Sequence, residues 1–193
     1  MPAIAKESLL PLEAYARQRG QIRARAMEHK NLRTVRLGKH VALQFEDELT
    51  VRYQVQEMLR IERIFEPDGI QDELDVYNPL VPDGSNWKAT FMIEVAAEAE
   101  RRAALARLVG IERCVWMQVA GCAPIRPIAN EDLERSTAEK TAAVHFMRFE
   151  LTAPMVAAVK AGAAIHAGID HRAYQATTTL PAPVRAALAA DLA

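Results

Sequence analysis

The sequence predicts an α+β protein, with a mixed, mostly antiparallel sheet of about five strands and helices on one face of it or at its edges. Three observations predict it. Short stretches such as Val41 to Phe45 and Val144 to Leu151 alternate with a period of two, the pattern of a half-buried strand. Longer stretches repeat apolar residues every three or four positions, the stripe of an amphipathic helix. Turn formers, as in Pro82 to Asn86, punctuate both kinds. With 193 residues the chain is long enough for one sizeable core, so a single domain over 1–193 is expected.

After a lead-in from Lys6 to Leu12, a helix is predicted over 11–29, with Leu12, Tyr15, Ile22 and Ala26 on its apolar side. Its many charges mark it as a surface helix. Gly38 makes the turn before a strand at Val41, Leu43 and Phe45. The densest stretch runs from Val51 to Pro79, where Glu57, Arg60, Glu62, Arg63, Asp72, Glu73 and Asp75 alternate with apolar anchors. Val51, Val55, Met58, Leu59 and Phe65 follow helical spacing, Pro67 to Gly69 interrupt it, and a shorter helix covers Ile70 to Tyr77 with Asp68 as cap. A strand at Val51, Tyr53 and Val55 competes with this reading, because those residues also alternate.

Beyond the Pro82 to Asn86 loop, a strand carries Trp87, Ala89, Phe91, Ile93 and Val95 on one face. A helix with Ala99, Ala103, Leu105, Ala106 and Val109 as its apolar side ends at Gly110, a natural C-cap. The strand RCVWMQV follows, so this strand–helix–strand order makes the two strands parallel neighbours or sets them apart in a mixed sheet. Residues 120–141 are a long loop of low apolar content, functional or mobile by its length, with a short helix over Glu131 to Arg135. The strand Val144 to Leu151, a helix opened by Pro154 and capped by Gly162, a last strand AAIHAGID and a C-terminal helix over 181–193 complete the chain. That last helix docks by Val184, Leu188 and Leu192.

Long phrases of this sequence are distinctive. QEMLRIER (56–63), IQDELDVYN (70–78), VHFMRFEL (144–151), AVKAGAAIHAGIDHRAY (158–174) and VRAALAADL near the end resemble a family of bacterial proteins known only as a domain of unknown function. The likeness covers nearly the whole chain. What it implies is a context: members are typically encoded beside a rubrerythrin-like di-iron protein and an iron–sulfur oxidoreductase subunit. It supplies no catalytic residue.

Composition excludes several classes. The formal net charge is −1 with acidic and basic residues interspersed, so no basic face for nucleic acid is expected. The one basic run, Arg17, Arg19, Arg23, Arg25 and Lys30, reads as a solvated helix face. No stretch has the roughly 18 consecutive apolar residues of a membrane helix, and the N-terminus lacks a secretion signal, so a cytoplasmic location is expected. Cys114 and Cys122, eight apart, are too few and too widely spaced for zinc, a cluster or a CxxC redox pair. No cofactor is expected, and neither GxGxxG, GxxxxGK nor GxSxG occurs.

Two clusters carry the candidate chemistry. Glu57, Glu62, Asp72, Glu73 and Asp75 lie on helices as in di-iron proteins, yet no Glu-x-x-His accompanies them. They read as ion pairs, with Glu57, Arg60, Asp72 and Glu73 forming a charged patch for a partner. Arg60 is expected to be buried against Glu57 or Asp72. The second cluster is His145, His166 and His171 with Asp170: His145 and His166 facing each other on neighbouring strands, with Asp170 orienting an imidazole, would suit a metal or a general base beneath the 120–141 loop, while Asp170 with His171 reads most simply as a turn before Ala173 to Thr179. The reading taken is a non-enzymatic accessory or adaptor of a rubrerythrin and iron–sulfur, peroxide-scavenging module. The alternative is a small-ligand or metal-dependent enzyme using His145, His166 and Asp170. Trp87 and Trp116 in strands point to a homodimer.

Overall fold

The computed structural model describes residues 3–133 and 135–193 and is α+β, as expected. Helix α1 (Leu12–Asn31) leads into strands β1 (Thr34–Leu37) and β2 (Val41–Phe45), then helices α2 (Glu48–Glu62) and α3 (Pro67–Tyr77). Strand β3 (Asn86–Ile93), helix α4 (Glu98–Arg107), strands β4 (Val115–Val119), β5 (Ile128–Ala129) and β6 (Val144–Glu150), helix α5 (Ala153–Lys160), the hairpin β7 (Ile165–His171) and β8 (Tyr174–Thr179), and helix α6 (Ala182–Ala190) follow. No helix among the described residues is long and apolar enough to cross a membrane.

The strands form two sheets, one of five in the order β1-β2-β3-β6-β5 and one of three in the order β4-β7-β8, and every ladder is antiparallel. Of the two arrangements expected for β3 and β4, parallel neighbours or strands set apart in one mixed sheet, neither is found: α4 leads the chain from the first sheet to the second, so they belong to different sheets. Both seams between the sheets are stitched. At one, the Tyr174 hydroxyl donates to Leu37 O at 2.6 Å and accepts from His40 N. Near the other, Met117 of β4 forms an antiparallel bridge with Ile125, in the segment that leads to β5. Two glycines permit close approaches, one at the Tyr174 seam and one within the three-stranded sheet. Gly38 turns at φ +72 with the Tyr174 hydroxyl 2.7 Å from where a Cβ would stand, and at Gly168 a Cβ would lie 2.3 Å from the Trp116 ring.

The inward faces of the two sheets supply one apolar core. Phe45, Trp87, Phe91, Phe149, Met117 and Ile165 are fully buried there, and α4, α5 and α6 add Leu108, Met155, Val159 and Leu188. Trp87 donates from Nε1 to Leu188 O at 3.0 Å and fixes α6 to the sheet. It therefore has no place on an outer face, and the reason for a homodimer drawn from it falls away. A second cluster of Ile4, Val51, Val55, Leu59, Leu74 and Val81 joins the lead-in segment, α2 and α3. The amides of Gln56 and Asn78 each bond both the N–H and the C=O of one lead-in residue, Leu10 and Ile4.

Several expected boundaries shift for physical reasons. The helix reading of 51–55 prevails over the strand, and α2 starts earlier because Asp47 and Thr50 form a reciprocal capping box. It ends at Arg63 in the left-handed region, φ 57, so the break precedes Pro67. Pro67 opens α3 rather than interrupting it, since its fixed φ suits a first helical turn. Helix α4 buries Ala104 and Leu108 while Ala99, Ala103 and Ala106 face solvent; the leucines, with more area to bury, set its rotation. Asp170 and His171 are not a turn but the end of β7, and Arg172 and Ala173 make the hairpin to β8. The helix expected over 131–135 includes Glu134, outside the described residues; Glu131 to Leu133 are bends.

One buried group ties these parts together. Arg33 is 2% exposed. Its Nε and Nη2 donate to Phe45 O and Glu46 O, and its guanidinium pairs with Asp191, at the end of α6, and with Asp47, the cap of α2. Burial pushes the Asp191 carboxyl from its ordinary 3.8 up to about 6, against the pull of Arg33. Arg33→Met, which leaves Asp191 without its cation and Asp47 with His29 alone, is expected to cost about 3–5 kcal/mol in chemical denaturation, and Asp191→Leu added to it to restore part of the loss. Because folding raises the Asp191 pKa, the native state holds its proton more tightly. Stability is then expected to fall as pH rises from about 4 through about 6, and Asp191→Asn to flatten that slope.

Candidate functional site

The four residues expected to bind a partner separate into two roles. Glu57, on α2, has a side chain only 14% exposed and is saturated from within: it accepts from the Tyr15 hydroxyl at 2.6 Å, from Nε and Nη2 of Arg19 at 2.8 Å each, and from Arg60 at 3.4 Å. The Arg19 fork holds its carboxyl down to about 2, with Tyr15 and Arg60 assisting, while burial and the Glu57 charge push the Tyr15 phenol above its ordinary range. Glu57 is thus the bolt between α1 and α2. Arg60 reaches Glu57 rather than Asp72 and is half-buried. Asp72 faces solvent and Glu73 is half-buried on α3, where burial and then the charges of Glu62 and Asp72 raise the Glu73 pKa.

The histidine cluster does not assemble. His145 lies on β6 and His166 on β7, strands of different sheets, so they do not face each other. His145 is fully buried, and both ring nitrogens hold the long loop. Nε2 donates to Ala142 O at 3.1 Å beside the Thr141 hydroxyl at 2.8 Å, which leaves Nδ1 to accept from Asn130 Nδ2 at 3.1 Å. Burial lowers its pKa, and the ring packs edge-on against Phe91. His145 is therefore a neutral staple beneath the loop, as the placement under 120–141 anticipated, but with neither nitrogen free. His166 meets Thr179 across the hairpin. Asp170 is exposed and pairs with Arg126, not with an imidazole. No group of three or more His, Cys, Asp or Glu among the described residues is arranged to hold a metal ion.

Two of the concave regions combine a sizeable apolar wall with charged groups. The first is a groove of about 610 Å³ between the end of α3 and the outer face of β3 and β6. Phe146 is part of its wall, with the Arg135 guanidinium 4.6 Å above the ring. Three of the exposed large apolar residues, Val76 at 66%, Leu133 at 55% and Ile128 at 45%, converge on it. Lys88, held by Pro79 O, and Arg148, spent on Glu131 and Glu150, stand at its rim. Helix α3 beside it carries Asp68, Asp72, Glu73 and Asp75 and no basic residue. Two further apolar residues, Ile61 and Phe65, are exposed in the elbow between α2 and α3.

The second is a cleft of about 700 Å³ where α1, the start of α2 and the end of α6 meet. Its apolar wall includes Ile22, Ala26, Leu49, Ala187 and Ala190, and its charged side includes His29, Arg33, Asp47 and Asp191. His29 Nε2 donates to Asp47 Oδ2 at 2.5 Å. Sequence reasoning missed this quartet. Its members are spread from residue 29 to residue 191, and a local motif was visible only at Asp47, whose partner Thr50 stands three residues on in the manner of a capping box.

The architecture defines a class: a two-sheet α+β protein with a helical arm and a buried, hydrogen-bonded histidine, His145, beside its long loop. Within it, the family described as protein of unknown function (DUF3501) matches residues 3–192, and the chain belongs to that family. It is similar to a solved structure from Burkholderia pseudomallei K96243, itself described as a novel protein of unknown function, with 56% identity over 100% of both chains and a TM-score of 0.95. No curated protein matches.

Glu57→Ala is expected to lower stability by about 2–4 kcal/mol, because the Tyr15 hydroxyl and the Arg19 fork lose their shared acceptor. Its folded pKa is depressed, so this contribution is complete above about 4.5 and is lost as pH falls through about 2. Thermal denaturation of both proteins across that range should show the two curves converging in acid.

Proposed function

We propose that this chain is a non-enzymatic docking protein that works in the cytoplasm and holds a redox partner through α3 and the groove behind it. The observation that carries this reading is the convergence of Val76, Leu133 and Ile128 on one groove beside a helix whose charges are all acidic. Isolated exposed apolar residues are ordinary, whereas several gathered at a concave site with a polar rim mark an interface. The occupant that fits is a protein segment with an apolar anchor flanked by lysine or arginine. An anchor would bury against Phe146 and Val76, and the flanking cations would meet Asp72 and Asp75, steering the encounter.

The genomic setting implied by the sequence resemblance directs the choice of partner to a rubrerythrin-like or iron–sulfur protein. The interior of this chain agrees with a binding role more than with a reaction. The fully buried His145 is spent on structure, and the carboxylates of Glu57 and Asp191 are paired with arginines.

The reading is tested by affinity purification of the tagged chain from its own host under anaerobic conditions, with iron measured in the co-purified protein. Val76→Lys and the double substitution Asp72→Lys with Asp75→Lys are each expected to reduce recovery of an iron-containing partner at least tenfold. Their unfolding midpoints should stay within error of the parent, because all three side chains face solvent. Equal recovery with both variants, or a partner without iron, would overturn it.

A further inference from the structure

The cleft between α1, α2 and α6 has features of a small-molecule site that the docking reading does not use. At about 700 Å³ it falls within the range typical of ligand pockets, and an apolar wall faces convergent polar groups, as such pockets require. It is built rather than incidental: Arg33 and Asp191, both on its wall, have side chains only 2% and 6% exposed.

The charges on that wall specify what it can take. Each carboxylate there already has its cation. Asp47 is held by His29 and Arg33, Asp191 by Arg33, and Glu48 by Arg52. Arg25 is the exception: it is on the cleft, and none of the ion pairs among the described residues involves it. Arg23, which donates to the Tyr53 hydroxyl, and Lys30, whose Nζ is 5.9 Å from the Tyr53 ring centroid, add positive charge along the same helix. The unspent polar capacity of the cleft is thus cationic. An amine would meet only carboxylates already neutralised. An anion would meet an unpaired guanidinium.

We propose that this cleft binds a small organic carboxylate with an apolar body. The carboxylate pairs with Arg25, and the body lies along Ile22, Ala26, Leu49, Ala187 and Ala190. The basic run of α1, which the sequence presents as a plain solvated face, then acquires a role in drawing the anion in.

The test is isothermal titration of the full chain with octanoate, octylamine and 1-octanol, probes that share a body and differ in the head group. Octanoate is expected to bind at one site per chain and at least tenfold tighter than 1-octanol or octylamine. Arg25→Gln, at an exposed position that leaves folding intact, should weaken octanoate about tenfold and leave 1-octanol unchanged. Ala190→Trp, which fills the apolar wall, should weaken both. Equal affinities for octanoate and 1-octanol, tighter binding of octylamine, no binding of octanoate, or an Arg25→Gln protein that binds octanoate as the parent does would each overturn the proposal. None of these outcomes bears on the groove at α3, so the two readings stand or fall separately.

Discussion

The buried guanidinium of Arg33 is the interaction on which the arrangement of the molecule depends. It sits just after α1, bonds the backbone at the end of β2, reaches the cap of α2 through Asp47, and closes on Asp191 near the C-terminus. Four parts of the chain converge on one planar group, whose fixed fork of donors suits it to bridging several acceptors at once. A hydrophobic contact at this place would bury area as well, but would leave Phe45 O, Glu46 O and the two carboxylates without these donors. The two apolar clusters, one between the sheets and one under α2 and α3, supply most of the favourable burial; Arg33 and the Glu57 bolt decide how the helical arm is set.

That division explains what was legible in the sequence. Strands with strict alternation, such as β3 with Trp87, Ala89, Phe91 and Ile93 inward, and β6 with His145, Met147 and Phe149 inward, were readable because half-buried strands must alternate. Helices α5 and α6 were readable from their prolines and their docking residues. Strand β8 was not, because Tyr-Gln-Ala-Thr-Thr-Thr is an edge strand whose apolar content is too small to betray its period. The second sheet was hidden for a related reason. Which strands pair is decided by where α4 delivers the chain, and nothing local to Val115 to Val119 records that.

The candidate sites were legible in proportion to their sequence locality. The acidic character of α3 is written in eleven consecutive residues and is present in the structure as a charged helical face. Glu57 belonged to the same dense stretch, but its partners Tyr15 and Arg19 lie some forty residues away, and only folding revealed that it is spent internally. His145 was chosen as one of two histidines facing each other on neighbouring strands beneath a long loop; it lies at that loop, yet away from His166, and its two nitrogens fasten the loop. The groove and the cleft are both products of tertiary packing: Val76, Ile128 and Phe146 meet across three separate segments.

The central claim is that α3 and its groove form the binding face for an iron-containing protein. The most direct measurement is zero-length cross-linking of carboxylates to lysines in the complex purified from the chain's own host, read by mass spectrometry. The account predicts links from Asp68, Asp72 or Asp75 of α3 to lysines of an iron-containing partner, beside an apolar segment of that partner. Links that instead map to β8 or α4, with α3 unmodified, would contradict it.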